Sequence, residues 1–210
     1  MSYTEHQIRF FAEQLMLRRP QDKIDGLASS MSGVKVDLNP HQVDAALFAL
    51  KSPLSSGALL ADEVGLGKTI EAGLVLAQCW SERKRKILLI VTASLRTQWR
   101  AELEEKFFIR SEILESKNYN KAKKNDPSCN PFLVQDAVVI CSYNFASAKM
   151  RDIQLVKWDL VIMDEAHKLR NVYKRNNVMG NNLKQALKGK KKLLLTATPL
   201  QNNLMELYGL

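Results

Sequence analysis

The chain of 210 residues contains no apolar run near the roughly 18 residues a membrane span requires; its best, Ile87–Val91, is strand-length. The amino terminus, MSYTEHQIRFF, lacks the basic-then-apolar layout of a secretion signal. Cysteine is scarce: Cys79, Cys129 and Cys141 are scattered, odd in number and without metal-ligand spacing. That argues against a disulfide framework and a zinc site, and it fits a reducing cytosol. Repeats and low-complexity tracts are absent. What remains is ordinary globular composition, 46% hydrophobic and 25% charged, in a length that suits one large domain or a domain with an appendage.

Acid is missing from one stretch in particular. Lys168 to Lys192 holds nine Lys or Arg and no Asp or Glu, an excess equal to the net charge of +9 on the whole chain. A basic balance points to an anionic partner. A solvated basic helix and turn explains this stretch as well as a phosphate-contact surface beside a nucleotide site does.

Periodicity divides the chain into a short helical extension, residues 1–35, and an alternating α/β body, residues 36–210. Ile8, Phe11 and Leu15 fall at helical spacing before Pro20, and a second short helix is expected around Lys23–Ser30. Pro40 suits the start of a helix through Val43–Leu50. Strands are predicted at Gly57–Ala61, Lys86–Thr92, Asp136–Ser142, Trp158–Asp164 and Lys191–Thr196. Helices are predicted at Lys68–Trp80, Arg96–Phe107, Asn144–Val156 and Asn182–Leu187, with a last one opening at Leu204–Tyr208. Lys117–Pro131 is polar, lysine-rich and turn-forming, and reads as a surface loop. Strands separated by helical crossovers imply a mostly parallel sheet covered on both faces, a three-layer α/β fold.

Three segments place polar chemistry at the carboxyl ends of predicted strands, where open α/β sheets bind ligands. In ADEVGLGKT (Ala61–Thr69), Gly65 and Gly67 let backbone N–H groups curl around phosphate oxygens. Lys68 reaches the β- and γ-phosphates, and the Thr69 hydroxyl suits Mg²⁺. The strict phosphate-loop pattern would require glycine at Asp62, and a glycine-rich turn with a surface lysine is the bland alternative. VIMDEAH (Val161–His167) sets Asp164 and Glu165 at a strand end. Asp164 suits a hard cation, and Glu165 is placed to orient and deprotonate a water. Such acid pairs also occur in solvated loops. His167 serves either as a packing or capping residue or as a polar link to the third segment. In LLLTATP (Leu193–Pro199), Thr196 and Thr198 can bond Asp164 or His167, or merely satisfy strand-end backbone.

In this order the segments resemble superfamily-two helicase-like ATPases, specifically the Swi/Snf-type translocases of double-stranded DNA. The resemblance runs from about Asp37 to the end. It implies a RecA-like lobe that binds ATP and Mg²⁺. LNPHQ (Leu38–Gln42) looks like the adenine-reading motif, with Gln42 on the base. Motif I implies nucleotide contacts from Asp62, Glu63, Gly65, Leu66, Gly67, Lys68 and Thr69, and the family commonly carries an acid where the strict loop has glycine. DEAHKLRN is similar to motif II and TATPLQNN to motif III, which brings His167, Thr196 and Thr198 to the nucleotide. VTASLRTQW (Val91–Trp99) and CSY (Cys141–Tyr143) look like motifs Ia and Ib. Those motifs imply backbone-phosphate contacts from Ser94, Arg96, Gln98 and Tyr143, although a capped helix with a surface arginine explains Arg96 and Gln98 nearly as well. Trp99 and Trp158 read as packing residues rather than base-stacking platforms.

The resemblance also implies a second RecA-like lobe that supplies arginines to the transition state, and no such lobe follows Leu210. An arginine finger is worth about 10³–10⁵ in rate, so the chain alone is expected to bind ATP and hydrolyse it very slowly. The form DEVGLGKTIEAG leans towards the bacterial members, which implies a bacterial cytosol or nucleoid and makes RNA polymerase a candidate partner. Two alternatives stand beside a DNA translocase. One is the motor of a restriction or defence system coupled to a nuclease subunit, and the other is a truncated nucleotide- or DNA-binding relic.

Overall fold

A computed structural model describes residues 35, 38–51, 57–61, 67–169 and 177–197. The helices expected within residues 1–35 and at Leu204–Tyr208 lie outside the described residues. So do Asp62, Glu63, Gly65, Leu66 and Thr198.

Six strands form one sheet: β1 (Gly57–Leu60), β2 (Ile87–Val91), β3 (Ser111–Ile113), β4 (Val138–Ser142), β5 (Leu160–Met163) and β6 (Lys192–Leu195). Their order is β1-β6-β5-β2-β4-β3, and every pairing is parallel. The helices between them are α1 (Pro40–Lys51), α2 (Lys68–Ser81), α3 (Arg96–Phe107), α4 (Ser116–Asn125), α5 (Tyr143–Ala148), α6 (Met150–Gln154) and α7 (Val178–Ala186). A 3₁₀ turn covers Ala166–Leu169.

The period-two alternation of the strands splits the core into two layers. Ile87, Leu89, Val91, Ile140, Ile162 and Leu195 face α1, α2 and α3. Leu88, Ile90, Val139, Val161, Met163 and Leu194 face α4 to α7, where Tyr119, Phe132, Phe145 and Trp158 form an aromatic cluster. Both faces are therefore covered, which is why β2 reads as an unbroken apolar run. On the first face α2 and α3 approach closely at Gly73, where a Cβ would stand 2.1 Å from the Phe107 ring.

The expected three-layer α/β architecture is present. Two local readings need correction. The predicted loop Lys117–Pro131 begins as α4, closed by a capping box in which the Glu115 side chain and the Asn118 side chain bond each other's backbone N–H. Tyr119 anchors this polar helix, with its hydroxyl donating to Asp152 and its ring under Lys149. The edge strand β3 was not anticipated, because SEI offers no apolar run.

The basic stretch, for which two readings were open, divides: Lys168 lines the cleft beside Tyr143, and the end of the stretch lies elsewhere. Lys192 opens β6 opposite Gly57 and Val161, at the amino ends of the strands. Lys190–Lys192 therefore lie on the edge of the sheet opposite the three motifs, not beside them. The reason is topological: the stretch starts at the carboxyl end of β5 and must cross the whole sheet to enter a parallel β6.

Candidate functional site

The strand register brings the motif residues level with one another. Leu60 pairs with Leu195, and Met163 with Leu194, so Asp164 emerges at the height where β1 and β6 end. Only β6 separates β1 from β5, which puts the two motif-bearing strand ends about 10 Å apart. The chain leaves β2 towards β3 and leaves β5 towards β6, so β2 and β5 flank a topological switch point.

At the end of the phosphate loop, Gly67 adopts φ 91° and ψ 35°, a left-handed conformation that glycine supports without strain. Its carbonyl accepts from Ile70 and Glu71 N–H and closes the first turn of α2, with Lys68 and Thr69 half-buried in that turn. Gln42 packs directly against it: a Cβ on Gly67 would stand 2.3 Å from Gln42 Nε2. Gln42 is 5% exposed, and its Oε1 accepts the Asn39 N–H at 3.2 Å. The residue expected to read adenine thus touches the residue that ends the phosphate loop.

Asp164 is the most heavily bonded member. Its Oδ2 accepts the Trp99 indole N–H at 2.8 Å, and its Oδ1 accepts the Glu165 backbone N–H at 2.8 Å. Its carbonyl accepts the Tyr143 hydroxyl at 2.6 Å, and its own N–H donates to Ile90 O at 2.9 Å. Burial pushes its pKa above the ordinary 3.8. Bonds from Trp99 and Glu165 N–H oppose that rise, the Glu165 charge adds to it, and the Lys68 charge lowers it.

Glu165 takes φ 53°, which turns the chain sharply off the strand. Its Oε2 lies 3.0 Å from His167 Nδ1, without the alignment of a hydrogen bond. Thr196 is buried, and its N–H ties β6 to Leu60 O at 3.1 Å.

The described donors suit a magnesium–triphosphate. Mg²⁺ takes one or two carboxylates and keeps its other positions for phosphate and water. Asp164 and the Thr69 hydroxyl offer hard oxygens of that kind. Among the described residues no group of three His, Cys, Asp or Glu gathers into a protein-only cage.

The residues expected to contact nucleic acid divide. Ser94 and Gln98 are exposed at the start of α3. Arg96 is held by Glu115 at 3.2 Å and by Ala93 O at 3.1 Å. Tyr143 is 4% exposed and spends its hydroxyl on Asp164, and burial holds that phenol well above its ordinary 10.0, so it is a fixed donor. A cleft of about 300 Å³ opens beside it, lined by Thr92, Ala93, Ser142, Asn144, Lys168 and Met179. Trp99 is the functional neighbour that sequence reading missed. It shares the buried stripe of Leu103 and Phe107, so it reads as packing. A buried indole N–H nonetheless needs an acceptor, and that requirement was the available signal.

A profile of the SNF2-related domain matches residues 7–210. The uncharacterized ATP-dependent helicase YqhH of Bacillus subtilis is 40% identical over 174 residues, which is 81% of this chain and 28% of that protein. The RNA polymerase-associated protein RapA of Yersinia enterocolitica is 36% identical over 180 residues, 82% of this chain and 18% of that protein. The chain thus spans less than a third of either relative. The SWI2/SNF2 ATPase core of Sulfolobus solfataricus, solved in complex with dsDNA, shares the fold with a TM-score of 0.66. That likeness covers 84% of this chain and 35% of that one, at 22% identity. A match over nearly the whole length and two relatives above 30% identity make the chain a member of the SNF2-related domain family.

Proposed function

We propose that this chain is the ATP-binding lobe of a motor that couples ATP hydrolysis to movement on duplex DNA. One observation carries the reading. Lys68 opens the helix that follows β1, Asp164 follows β5, and the register of β1, β6 and β5 ends both strands at one level, a single strand apart.

In this reading Gly65 and Gly67 present backbone N–H groups to the phosphates, beside Asp62, Glu63 and Leu66 of the same loop. Lys68 neutralises the β- and γ-phosphates, and Gln42 bonds the base. Thr69 and Asp164 would hold Mg²⁺, which would supply positive charge to offset that of the phosphates. Glu165 orients the attacking water and takes its proton. His167, Thr196 and Thr198 report the state of the γ-phosphate. A second lobe supplies arginine to the transition state, so this lobe alone turns over slowly.

For duplex DNA, Lys168 in the 300 Å³ cleft and exposed Ser94 and Gln98 near the start of α3 are the candidate backbone contacts. Arg96 joins them on release from Glu115. The name of the Yersinia relative makes RNA polymerase the first protein partner to test. A nuclease partner finds no support in these relatives. Work on DNA implies the bacterial cytosol or nucleoid, and no described helix is long and apolar enough to cross a membrane.

The test is direct. Lys68→Ala removes the protein cation that faces an anionic ligand, a loss of about 3 kcal/mol or a factor on the order of 100 in Mg-ATP affinity. Thermal melting should be unchanged. Calorimetric titration showing unaltered Mg-ATP affinity in this variant would sink the nucleotide reading. If the chain complemented with a second lobe and duplex DNA then fails to hydrolyse ATP in a single turnover, the relic reading replaces the motor.

A further inference from the structure

Asp164 sits where the strand has already ended, followed by a residue at φ 53°. Nothing in the sheet ladder fixes its side chain. Two bonds do so instead, one of them from another element, and a third from another element holds its main chain. Trp99 on α3 holds Oδ2, Tyr143 on α5 holds the main-chain oxygen, and the adjacent N–H holds Oδ1. An ionised carboxylate oxygen accepts more than one hydrogen bond, so each oxygen keeps capacity for a cation or its water.

The other buried tryptophan in this chain shows what a purely structural solution looks like. Trp158 is 6% exposed and donates its N–H to Ile153 O at 3.0 Å, a main-chain acceptor five residues away. Trp99, 2% exposed, passes over local carbonyls and reaches a carboxylate 65 residues away in sequence. Charge-assisted bonds of this kind are stronger and more directional than neutral ones. Mg²⁺ is intolerant of misplaced ligands because it demands near-ideal octahedral geometry.

We propose that Trp99 is a positioning residue: its indole N–H fixes the rotamer of Asp164 so that the carboxylate meets the nucleotide-bound magnesium. The inference rests on the nucleotide reading above. Trp99 touches neither nucleotide nor metal; it acts through Asp164, as outer-shell donors orient metal ligands elsewhere. Tyr143 supports it from the main-chain side, which accounts for a tyrosine buried at a position expected to face nucleic acid.

The experiment is a fluorescence titration with N-methylanthraniloyl-ATP, with saturating Mg²⁺ and again in EDTA. It compares the unaltered chain with Trp99→Phe, Asp164→Asn and Lys68→Ala. The measured quantity is the gain in affinity that Mg²⁺ confers. Trp99→Phe should shrink that gain about tenfold, the lower end for loss of an outer-shell partner, and leave metal-free affinity within about twofold. An undiminished gain, or equal losses with and without metal, overturns the proposal, because equal losses are what a packing role gives. If Trp99→Phe does not fold, benzothienylalanine at position 99 keeps the bicyclic shape and removes only the N–H, and the same criterion applies. Asp164→Asn and Lys68→Ala separate the two failures. If both retain full Mg-nucleotide affinity, the nucleotide reading fails and this inference goes with it. If both lose affinity while the position-99 variants keep the magnesium gain, only this inference fails.

Discussion

The two edges of the sheet have different jobs. The segments entering β2 to β6 (82–86, 110, 136, 157–159 and 188–192) hold ten Lys or Arg against three Asp or Glu. The three acids are each taken by a neighbouring basic residue: Glu82 by Lys84 at 2.6 Å, Asp136 by Arg85 at 3.5 Å, and Asp159 by the Lys86 backbone N–H at 3.0 Å. At the carboxyl edge the described polar contacts converge on a single acidic residue instead. Trp99, Tyr143 and Lys68 all act on Asp164 from other elements. A parallel sheet makes this division possible because every strand points its carboxyl end the same way. The amino edge supplies net charge and solubility, and the carboxyl edge supplies geometry.

Matched substitutions give the sharpest break of this comparison. Glu165→Gln at the carboxyl edge should slow turnover of the lobe complemented with its partner lobe by about 10²–10⁴, the usual worth of a general base. Mg-ATP binding should persist. Asp159→Asn makes the same chemical change at the amino edge and should leave turnover within about twofold, since it touches only the Lys86 N–H among described bonds. Phosphate release measured on both variants checks this. Comparable rates from the two would erase the functional difference between the edges.

The edges also differ in how their carboxylates titrate. Burial works to raise the Glu82 pKa, but bonds from Lys84 and Gln78 prevail and hold it below 4.5. Its ionised form therefore stabilises the fold, a contribution present above pH 4.5 and lost as pH falls through the lowered value. Asp164 has the opposite sign. Burial raises it above 3.8, so the folded state prefers it protonated, and its contribution declines as pH rises from 3.8 through the raised value. Urea unfolding between pH 3 and 6, without nucleotide, should show Glu82→Gln and Asp164→Asn changing the slope in opposite directions. For partly exposed Glu82 the effect is about 1 kcal/mol or less. Slopes that change in the same direction would mean the active carboxylate costs the fold nothing.

How much of this was legible depends on whether the signal was local. The five apolar strand runs and the helix Arg96–Phe107 carry their periodicity within a dozen residues, and the structure reproduces them. The helix α4 was hidden because its content is polar and its stability comes from a cap and one tertiary anchor, Tyr119. At the site, the motif order implied that Lys68 and Asp164 meet. It could not show that Tyr143 is buried or that Trp99 bonds across 65 residues. Contacts between distant elements leave no period in the chain. The lysine-rich stretch left two readings open for the same reason: close in sequence to the third motif, Lys190–Lys192 are separated from it by the length of a strand.

That separation sets the smallest expected effect. Replacing Lys190, Lys191 and Lys192 with Gln should leave Mg-ATP affinity within about twofold, because a strand length of water and protein screens them from Lys68. Lys192 is also half-buried, and burial together with Lys184 holds its pKa below 10.5. If duplex DNA lies along the cleft near Ser94 and Lys168, the triple variant should alter the salt slope of DNA binding by less than about one. Loss of three phosphate contacts would change it by about 2.7, at roughly 0.9 per contact. Filter binding across a salt series reads the difference. A change near the larger value would put the duplex on the amino edge, and the charge gathered there would then be the grip of the motor rather than its solvation.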